Sequence, residues 1–212
     1  MESEYAVNEV SFTMATDSLH EFIAFDGSMF LTPEFAEAVD KQNLHNEGPF
    51  DLILVTHPLF IEEANQLAAI HDSLDGFLIK VVTPGEIYNE FSSGKQDPSA
   101  IRDYIKMLYD RSESQEPRFL LLFGDGSFDP KDRLENNSNL IPTFQTEESW
   151  ITASSYVIED YFGYLDDNEG EDAIGELDIG IGRFPVQTKE EAGIVIDKIK
   201  RYLTTAEPFF GN

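Results

Sequence analysis

Carboxylates stand at two places in this chain where an apolar run begins or ends. Asp125 follows the run Phe119–Phe123 and lies between two glycines. Further along, many acidic residues lie between Glu159 and Asp178, directly before a second apolar run. Carboxylates can bind a hard cation, transfer protons, or simply keep a surface solvated. On spacing alone a solvated loop is favoured over a calcium loop, because no glutamate stands at the twelfth position from Asp166 or Asp167.

The elements that position these residues are predicted strands. An uninterrupted apolar run between Pro117 and Gly124 is typical of a strand covered by helices on both faces, and such sheets are mostly parallel. Ligands of open parallel sheets collect at the carboxyl ends of the strands. We therefore expect Asp125 and its flanking glycines where a ligand, an ion or a neighbouring domain would sit.

Strands and helices alternate along most of the chain. The predicted strands are Leu52–Val55, Phe77–Val82, Phe119–Phe123 and Ile179–Phe184. Asp97-Pro98 caps one helix, and a capping box of Thr188 and Glu191 opens another. The core-facing residues of that last helix are predicted to be Ala192, Val195, Ile196, Ile199, Tyr202 and Leu203. The sequence thus predicts an α/β fold, a three-layer αβα arrangement with a mostly parallel, four-stranded or slightly larger sheet.

The domain prediction divides the chain at residue 50. Residues 1–50 form an entry segment, with a short strand at Glu21–Phe25, a helix opening at Thr32-Pro33 and a loop from Asp40 to Phe50. Residues 51–212 form the α/β part. Within it, Thr83-Pro84-Gly85 is predicted to end a strand.

Composition excludes several classes of function. The 212 residues carry 41 Asp plus Glu against 14 Lys plus Arg, a net charge of -27, which argues against binding of nucleic acid or anionic membranes. No cysteine is present, so disulfides, thiolate metal sites and a thiol nucleophile are excluded within these residues. We find no candidate transmembrane helix and no secretory signal, and we expect no membrane contact by this part of the protein.

Common catalytic motifs do not match. Asp125-Gly-Ser-Phe128 is not a nucleophile elbow, and Gly124-Asp-Gly126 lacks the third glycine of a dinucleotide fingerprint. Magnesium-dependent phosphotransfer on Asp26 or Asp125 is an alternative, although the second acidic residue two positions later is missing in both. His57 follows a strand, where a function is possible, but a satisfied edge histidine beside Pro58 is the favoured interpretation. For His71, on the apolar face of its helix, packing is the default explanation.

A series of ordered segments resembles the gingipain-type cysteine peptidases. The matching segments are Phe25-Asp-Gly-Ser28, Gln42-Asn-Leu-His45, Ile87-Tyr-Asn-Glu-Phe-Ser-Ser-Gly94, Ala100-Ile-Arg-Asp103, Lys106-Met-Leu-Tyr-Asp-Arg111, Leu121-Leu-Phe-Gly-Asp-Gly-Ser127, Ile141-Pro-Thr-Phe-Gln145, Asp160-Tyr-Phe-Gly163 and Leu177-Asp-Ile-Gly-Ile-Gly-Arg-Phe-Pro185. Within that family the chain is most similar to the PorU-like sortases of the type IX secretion system.

The resemblance implies a caspase-like catalytic domain of two subdomains, with the Cys-His pair in the second. This chain would be the first subdomain, without catalytic or cofactor-binding residues of its own and inactive by itself. The implied partners are the second subdomain of the same chain and cargo proteins or peptides whose C-terminal secretion signals are removed. The implied location is the cell surface, the outer membrane or the medium.

The resemblance also implies a calcium ion, Ca2+, in the first subdomain. The family's ligand positions map onto Asp125, Asp166, Asp167 and Asp178. An alternative from another class stays open, namely a noncatalytic binding or scaffold module that docks basic cargo on an acidic edge.

Overall fold

The computed structural model describes residues 2–204, apart from 7, 8, 16, 24–26, 29, 36, 37, 40, 113–115, 149 and 171–173. The chain forms two compact units, Met1–Ala38 and Val39–Asn212. The first unit contains an antiparallel hairpin of β1 (Glu2–Ala6) and β2 (Glu9–Thr13), which the sequence patterns did not indicate. The predicted domain boundary at residue 50 stays a prediction.

Two predictions in the first unit are wrong where the structure describes them. Residues 21–23 of the predicted strand and residues 32–35 at the start of the predicted helix have no regular secondary structure. Ile23 is 86% exposed, so its apolar side chain does not belong to a packed sheet face. A short apolar run forms a strand only where a neighbouring strand can pair with it. The remaining residues of both predictions lie outside the described part of the chain.

The second unit is built on a four-stranded parallel sheet. Its strands are β3 (Leu52–Thr56), β4 (Ile79–Val82), β5 (Phe119–Phe123) and β8 (Gly180–Phe184), in the order β4-β3-β5-β8. Every neighbouring pair is parallel, and the register sets Phe119 opposite Gly180. The predicted parallel sheet is confirmed.

Helices cover both faces of this sheet. They are α1 (Ile61–Asp75), α2 (Pro84–Phe91), α3 (Pro98–Arg111) and α4 (Lys189–Thr204). Ile53 and Val55 point into the core shared with α2 and α3, whereas Leu52 and Leu54 point into the core shared with α1 and α4. This alternation is the period of two that a strand requires. The predicted three-layer αβα arrangement is confirmed.

Helix α2 begins where the sequence predicted only the end of a strand. Thr83-Pro84-Gly85 does end the preceding strand, but the same residues also open a helix. The Thr83 hydroxyl accepts a hydrogen bond from the Glu86 amide at 3.4 Å, and the Glu86 carboxylate accepts one from the Thr83 amide at 2.8 Å. Pro84 stands at the first helical position, where no backbone donor is needed. Thr, Pro and Glu in this order form a capping box as well as a strand end.

The capping predictions for α3 and α4 are confirmed, with two errors in packing on α4. Asp97 accepts from the Ser99 amide at 2.9 Å, and Thr188 accepts from the Glu191 amide at 3.2 Å. On α4, however, Tyr202 is 71% and Leu203 is 38% exposed, and both were wrongly predicted as core. Sixteen residues of helix extend about 24 Å, which exceeds the length of a five-residue strand, so the last turn has no sheet to cover.

The stretch between β5 and β8 is not purely irregular. It contains the short antiparallel pair β6 (Phe144–Gln145) and β7 (Val157–Ile158), followed by a 3-10 turn at Asp160–Gly163. The ring of Phe144 stacks on that of Tyr161 with centroids 3.7 Å apart. Among the described helices, none has the length and apolar character needed to cross a bilayer.

Candidate functional site

The carboxyl edge of the sheet brings together the segments that follow β3, β5 and β8. The Gly124 amide donates to the Phe184 carbonyl, and the Asp125 amide donates to the Val186 carbonyl, both at 3.0 Å. The His57 amide donates to the Phe123 carbonyl at 3.2 Å. These contacts continue the sheet ladder beyond its last residues, and they fix Asp125 at the predicted position.

Asp125 is held by neutral donors at this edge. Its Oδ2 atom accepts from Ser138 Oγ at 2.6 Å and from Gln187 Nε2 at 2.8 Å. Its carbonyl accepts from the amides of Leu140 and Ile141, both at 3.0 Å. Asp125 therefore ties the loop after β5 to the segment after β8, and its side chain is partly committed to structural contacts.

Gly126 makes a close approach possible. A Cβ atom at this position would lie 2.5 Å from Thr143 Cγ2 and 3.0 Å from the Ile141 carbonyl oxygen. Real Cβ atoms do not come that close, so only glycine lets the chain pass here. This explains the second glycine of the Gly-Asp-Gly sequence without invoking a bound phosphate.

Arg183 organises the loops at this edge, and its side chain is only 10% exposed. Its Nε and Nη2 atoms pair with the two carboxylate oxygens of Glu159, each at 2.8 Å. Nη1 donates to the carbonyls of Gly124 at 2.8 Å and Ile141 at 3.0 Å, and Nη2 donates to Pro142 at 3.1 Å. One guanidinium thus joins β8, the loop after β5 and the residue after β7.

The sequence-based search for functional residues missed this role of Arg183. The signal was nevertheless present, because a single arginine inside an apolar strand must find an anionic partner or carbonyl acceptors once it is buried. The acidic residues just before β8 were the natural candidates. The particular partner, Glu159, depends on how the intervening loop folds back.

His57 lies beside the same edge and caps a turn. Its Nδ1 accepts from the Leu59 amide at 3.3 Å, and burial lowers the pKa of its imidazole. A Cβ atom on Gly124 would lie 3.7 Å from His57 Cβ, which places the histidine next to the loop after β5. Its observed role is local capping.

Beyond Glu159 the acidic stretch runs along α3, and its last residue, Asp178, lies at the other end of the sheet. Asp178 accepts from the Leu165 amide at 2.8 Å and from the Tyr109 hydroxyl at 3.5 Å. Burial raises the pKa of Tyr109, and the carboxylates of Asp178, Glu116 and Asp166 raise it further. Of the predicted calcium ligands, Asp178 is hydrogen-bonded to this phenol, and Asp166 acts on its pKa only electrostatically.

Asp167 is paired with a lysine. Its carboxylate lies 3.2 Å from Lys106 Nζ, although its side chain is 90% exposed. The same ammonium lies 3.3 Å from Asp110 and donates to the Leu165 carbonyl. Burial lowers the pKa of Lys106, but hydrogen bonds to Asp167 and Asp110 raise it more, so the net shift is upward.

The structure does not bring the four predicted calcium ligands together. Asp125 lies beyond the carboxyl end of β5, whereas Asp178 lies before the amino end of its parallel neighbour β8. Four residue steps at about 3.3 Å, or about 13 Å, separate those two ends. A calcium ion contacts its ligands at about 2.3–2.6 Å and cannot reach both. Within the described ranges, no three acidic or histidine side chains form a group that could hold a metal ion. Calcium binding stays a prediction. Because Asp125 lies too far away and Asp167 is paired with Lys106, Asp166 and Asp178 are the predicted ligands that remain for it.

Comparison with known proteins agrees with the resemblance seen in the sequence. The sequence model of peptidase family C25 matches residues 45–211, which include the whole parallel sheet. Among solved structures, dimeric latent PorU from Porphyromonas gingivalis is similar over 77% of this chain, with 38% identity and a TM-score of 0.67. This chain covers 16% of that PorU chain. The search of curated proteins gave no match.

Proposed function

The chain belongs to peptidase family C25, and from this membership we propose that it forms the first subdomain of a gingipain-like cysteine endopeptidase. The observation that carries the proposal is the 38% identity with PorU over 77% of this chain, together with the family match at residues 45–211. Identity of this size over most of the chain, with a TM-score of 0.67, supports shared architecture as well as shared ancestry.

In this proposal the nucleophile lies outside the present residues. The chain contains no cysteine, so the thiolate that attacks the scissile carbonyl and the histidine that transfers its proton belong to a second subdomain. The small share of the PorU chain that is covered here, 16%, is compatible with such a division. The carboxyl-edge loops tied together by Arg183 are the surface on which a second subdomain would complete a site.

The proposed substrate is a cargo protein of the type IX secretion system. The enzyme would act as a sortase that removes the C-terminal secretion signal, at the cell surface or the outer membrane. Support comes from the likeness to PorU, and the residues described here do not by themselves select a peptide sequence.

The net charge favours a second candidate function. At -27 the chain is strongly acidic, and such a surface attracts basic segments of a partner. A noncatalytic scaffold that docks basic cargo would use this charge without any peptidase chemistry. Its binding would weaken steeply with salt, because exposed charges are screened within about 10 Å at 0.1 M.

Cleavage by a longer protein tests the two proposals against each other. The assay compares this chain with a protein that continues into the following subdomain, on a peptide that spans a type IX C-terminal signal. We expect no cleavage by the chain alone, and cleavage by the longer protein that is lost when its candidate cysteine is changed to serine. Inertness of both proteins, with salt-sensitive binding of the peptide, would favour the scaffold.

A calcium ion at Asp166 and Asp178 is a separate proposal. Asp178 accepts a hydrogen bond from Tyr109, and Asp166 belongs to the same oxygen-rich loop, which is the chemistry that calcium prefers. Calorimetry with calcium tests it, with Asp178→Asn as the variant and Asp132→Asn, an exposed acid outside the loop, as the control. Absence of a calcium-dependent signal in the unaltered protein would remove the proposal.

A further inference from the structure

Helix α3 carries a polar face that is directed at the acidic loop. Ser99, Arg102, Lys106 and Tyr109 are separated by three, four and three residues, so they share one side of the helix. The apolar residues Ile101 and Ile105 lie on the side that faces the sheet. Residues of the polar face contact the acidic loop instead.

Arg102 binds the loop through backbone carbonyls. Its Nε donates to the Tyr164 carbonyl at 2.7 Å, and its Nη2 donates to the Glu169 carbonyl at 3.0 Å. Gly170 lies so close that a Cβ atom there would approach the guanidinium within 3.2 Å. The loop therefore wraps around the end of the arginine side chain.

Lys106, one turn further along α3, binds the same loop. Its ammonium donates to the Leu165 carbonyl and lies within 3.3 Å of the carboxylates of Asp167 and Asp110. The Leu165 amide is held from the opposite direction by Asp178 at 2.8 Å. A cation surrounded by a carbonyl and two carboxylates has the ligand types of a calcium site, with an ammonium where the metal would be.

The charges of the loop favour a cation at this position. Asp166, Asp167 and Glu169 crowd together in sequence, and like charges at this spacing repel unless water or a cation screens them. The pair between Lys106 and the exposed Asp167 contributes little by itself. The contacts to half-buried carbonyls matter more, because a charged donor makes a stronger hydrogen bond than a neutral one.

We propose that Lys106 and Arg102 are the built-in counter-ions of the acidic loop, and that they order residues 161–170 without a bound metal. The inference is independent of the peptidase proposal, and a calcium ion bound at Asp166 and Asp178 would add to an order that these two side chains already supply. It also implies a latent metal site, because removal of the ammonium leaves the Leu165 carbonyl and the carboxylates of Asp110 and Asp167 free to bind a divalent cation.

Amide hydrogen exchange of the intact chain, in chelator and in calcium, tests the proposal. In chelator the unaltered protein should keep the amides of residues 161–170 protected, and Lys106→Ala should exchange them about tenfold faster, the loss expected from one charge-assisted hydrogen bond. Calcium should restore part of that protection in the variant. Lys131→Ala, an exposed lysine outside this contact, is the charge-matched control.

Three results would overturn the inference. The unaltered loop could lose its protection in chelator, which would assign its order to a metal. Lys106→Ala could exchange at the unaltered rate, or calcium could fail to restore any protection in it. Should Lys106→Ala not fold, Lys106→Gln replaces it, and the chelator experiment on the unaltered protein needs no variant at all.

Discussion

Replacement of Arg183 by methionine should destabilise the protein more than any other single change at the carboxyl edge. The side chain is 10% exposed and makes five hydrogen bonds, two of them to Glu159 and three to carbonyls. Removing one partner of a buried ion pair costs about 3–5 kcal/mol, because the other charge is left without compensation. Glu159 is 29% exposed, so water relieves part of that cost, and we expect about 3 kcal/mol.

Urea unfolding followed by far-ultraviolet circular dichroism measures this loss. Arg183→Lys keeps the charge but not the planar fork, and it should fall between the unaltered protein and Arg183→Met. Arg118→Met is the control, since Arg118 lies exposed over the rings of Phe77 and Phe119 and is expected to contribute less than about 1 kcal/mol. The explanation is refuted if Arg183→Met loses no more free energy of unfolding than the Arg118 control.

Three further changes have defined outcomes. Gly126→Ala should cost about 1–3 kcal/mol in urea unfolding because its Cβ would strike Thr143, whereas Gly85→Ala meets no atom within 4 Å and should cost nothing. Asp97→Ala removes the cap of α3 and should lower the thermal midpoint by the equivalent of about 1 kcal/mol. Burial raises the pKa of Glu90, but hydrogen bonds from the 42–45 segment lower it more, to about 2. The ionised Glu90 carboxylate therefore stabilises the fold fully above pH 4.5, and this stabilisation is lost as the pH falls towards 2. In Glu90→Gln the free energy of unfolding should fall less steeply between pH 4.5 and pH 2 than in the unaltered protein.

The parallel sheet was predictable because its strands are continuous apolar runs. Because helices cover both faces of β3 and β5, their sequences are almost entirely apolar, and this pattern identifies them as strands. The starts of α3 and α4 were predictable from their capping residues, Asp97 and Thr188. Helix α2 was missed because Thr83-Pro84-Gly85 is both a strand end and a helix start. Local patterns could not decide between the two, although Glu86 in the third position was the available signal.

The candidate site was predictable in position but not in its contacts. The sequence placed Asp125 at the carboxyl edge, since that follows from strand direction. The sequence could not place Asp178 relative to Asp125, because it does not show that β5 and β8 are neighbours. Their pairing in the structure puts the two aspartates beyond opposite ends of adjacent strands. The sequence also could not show that Glu159 pairs with Arg183, or that Lys106 binds the acidic loop. Both contacts join residues that are far apart along the chain.

Thiol labelling of the longer protein tests the central claim most directly. The claim is that this αβα unit supports peptidase chemistry whose nucleophile lies outside residues 1–212. After treatment with a peptidyl chloromethyl ketone that abolishes cleavage, mass spectrometry should find the label on a cysteine beyond this chain, and the chain alone should take up none. A label on any side chain within these residues, or cleavage that survives replacement of every cysteine, would contradict the account.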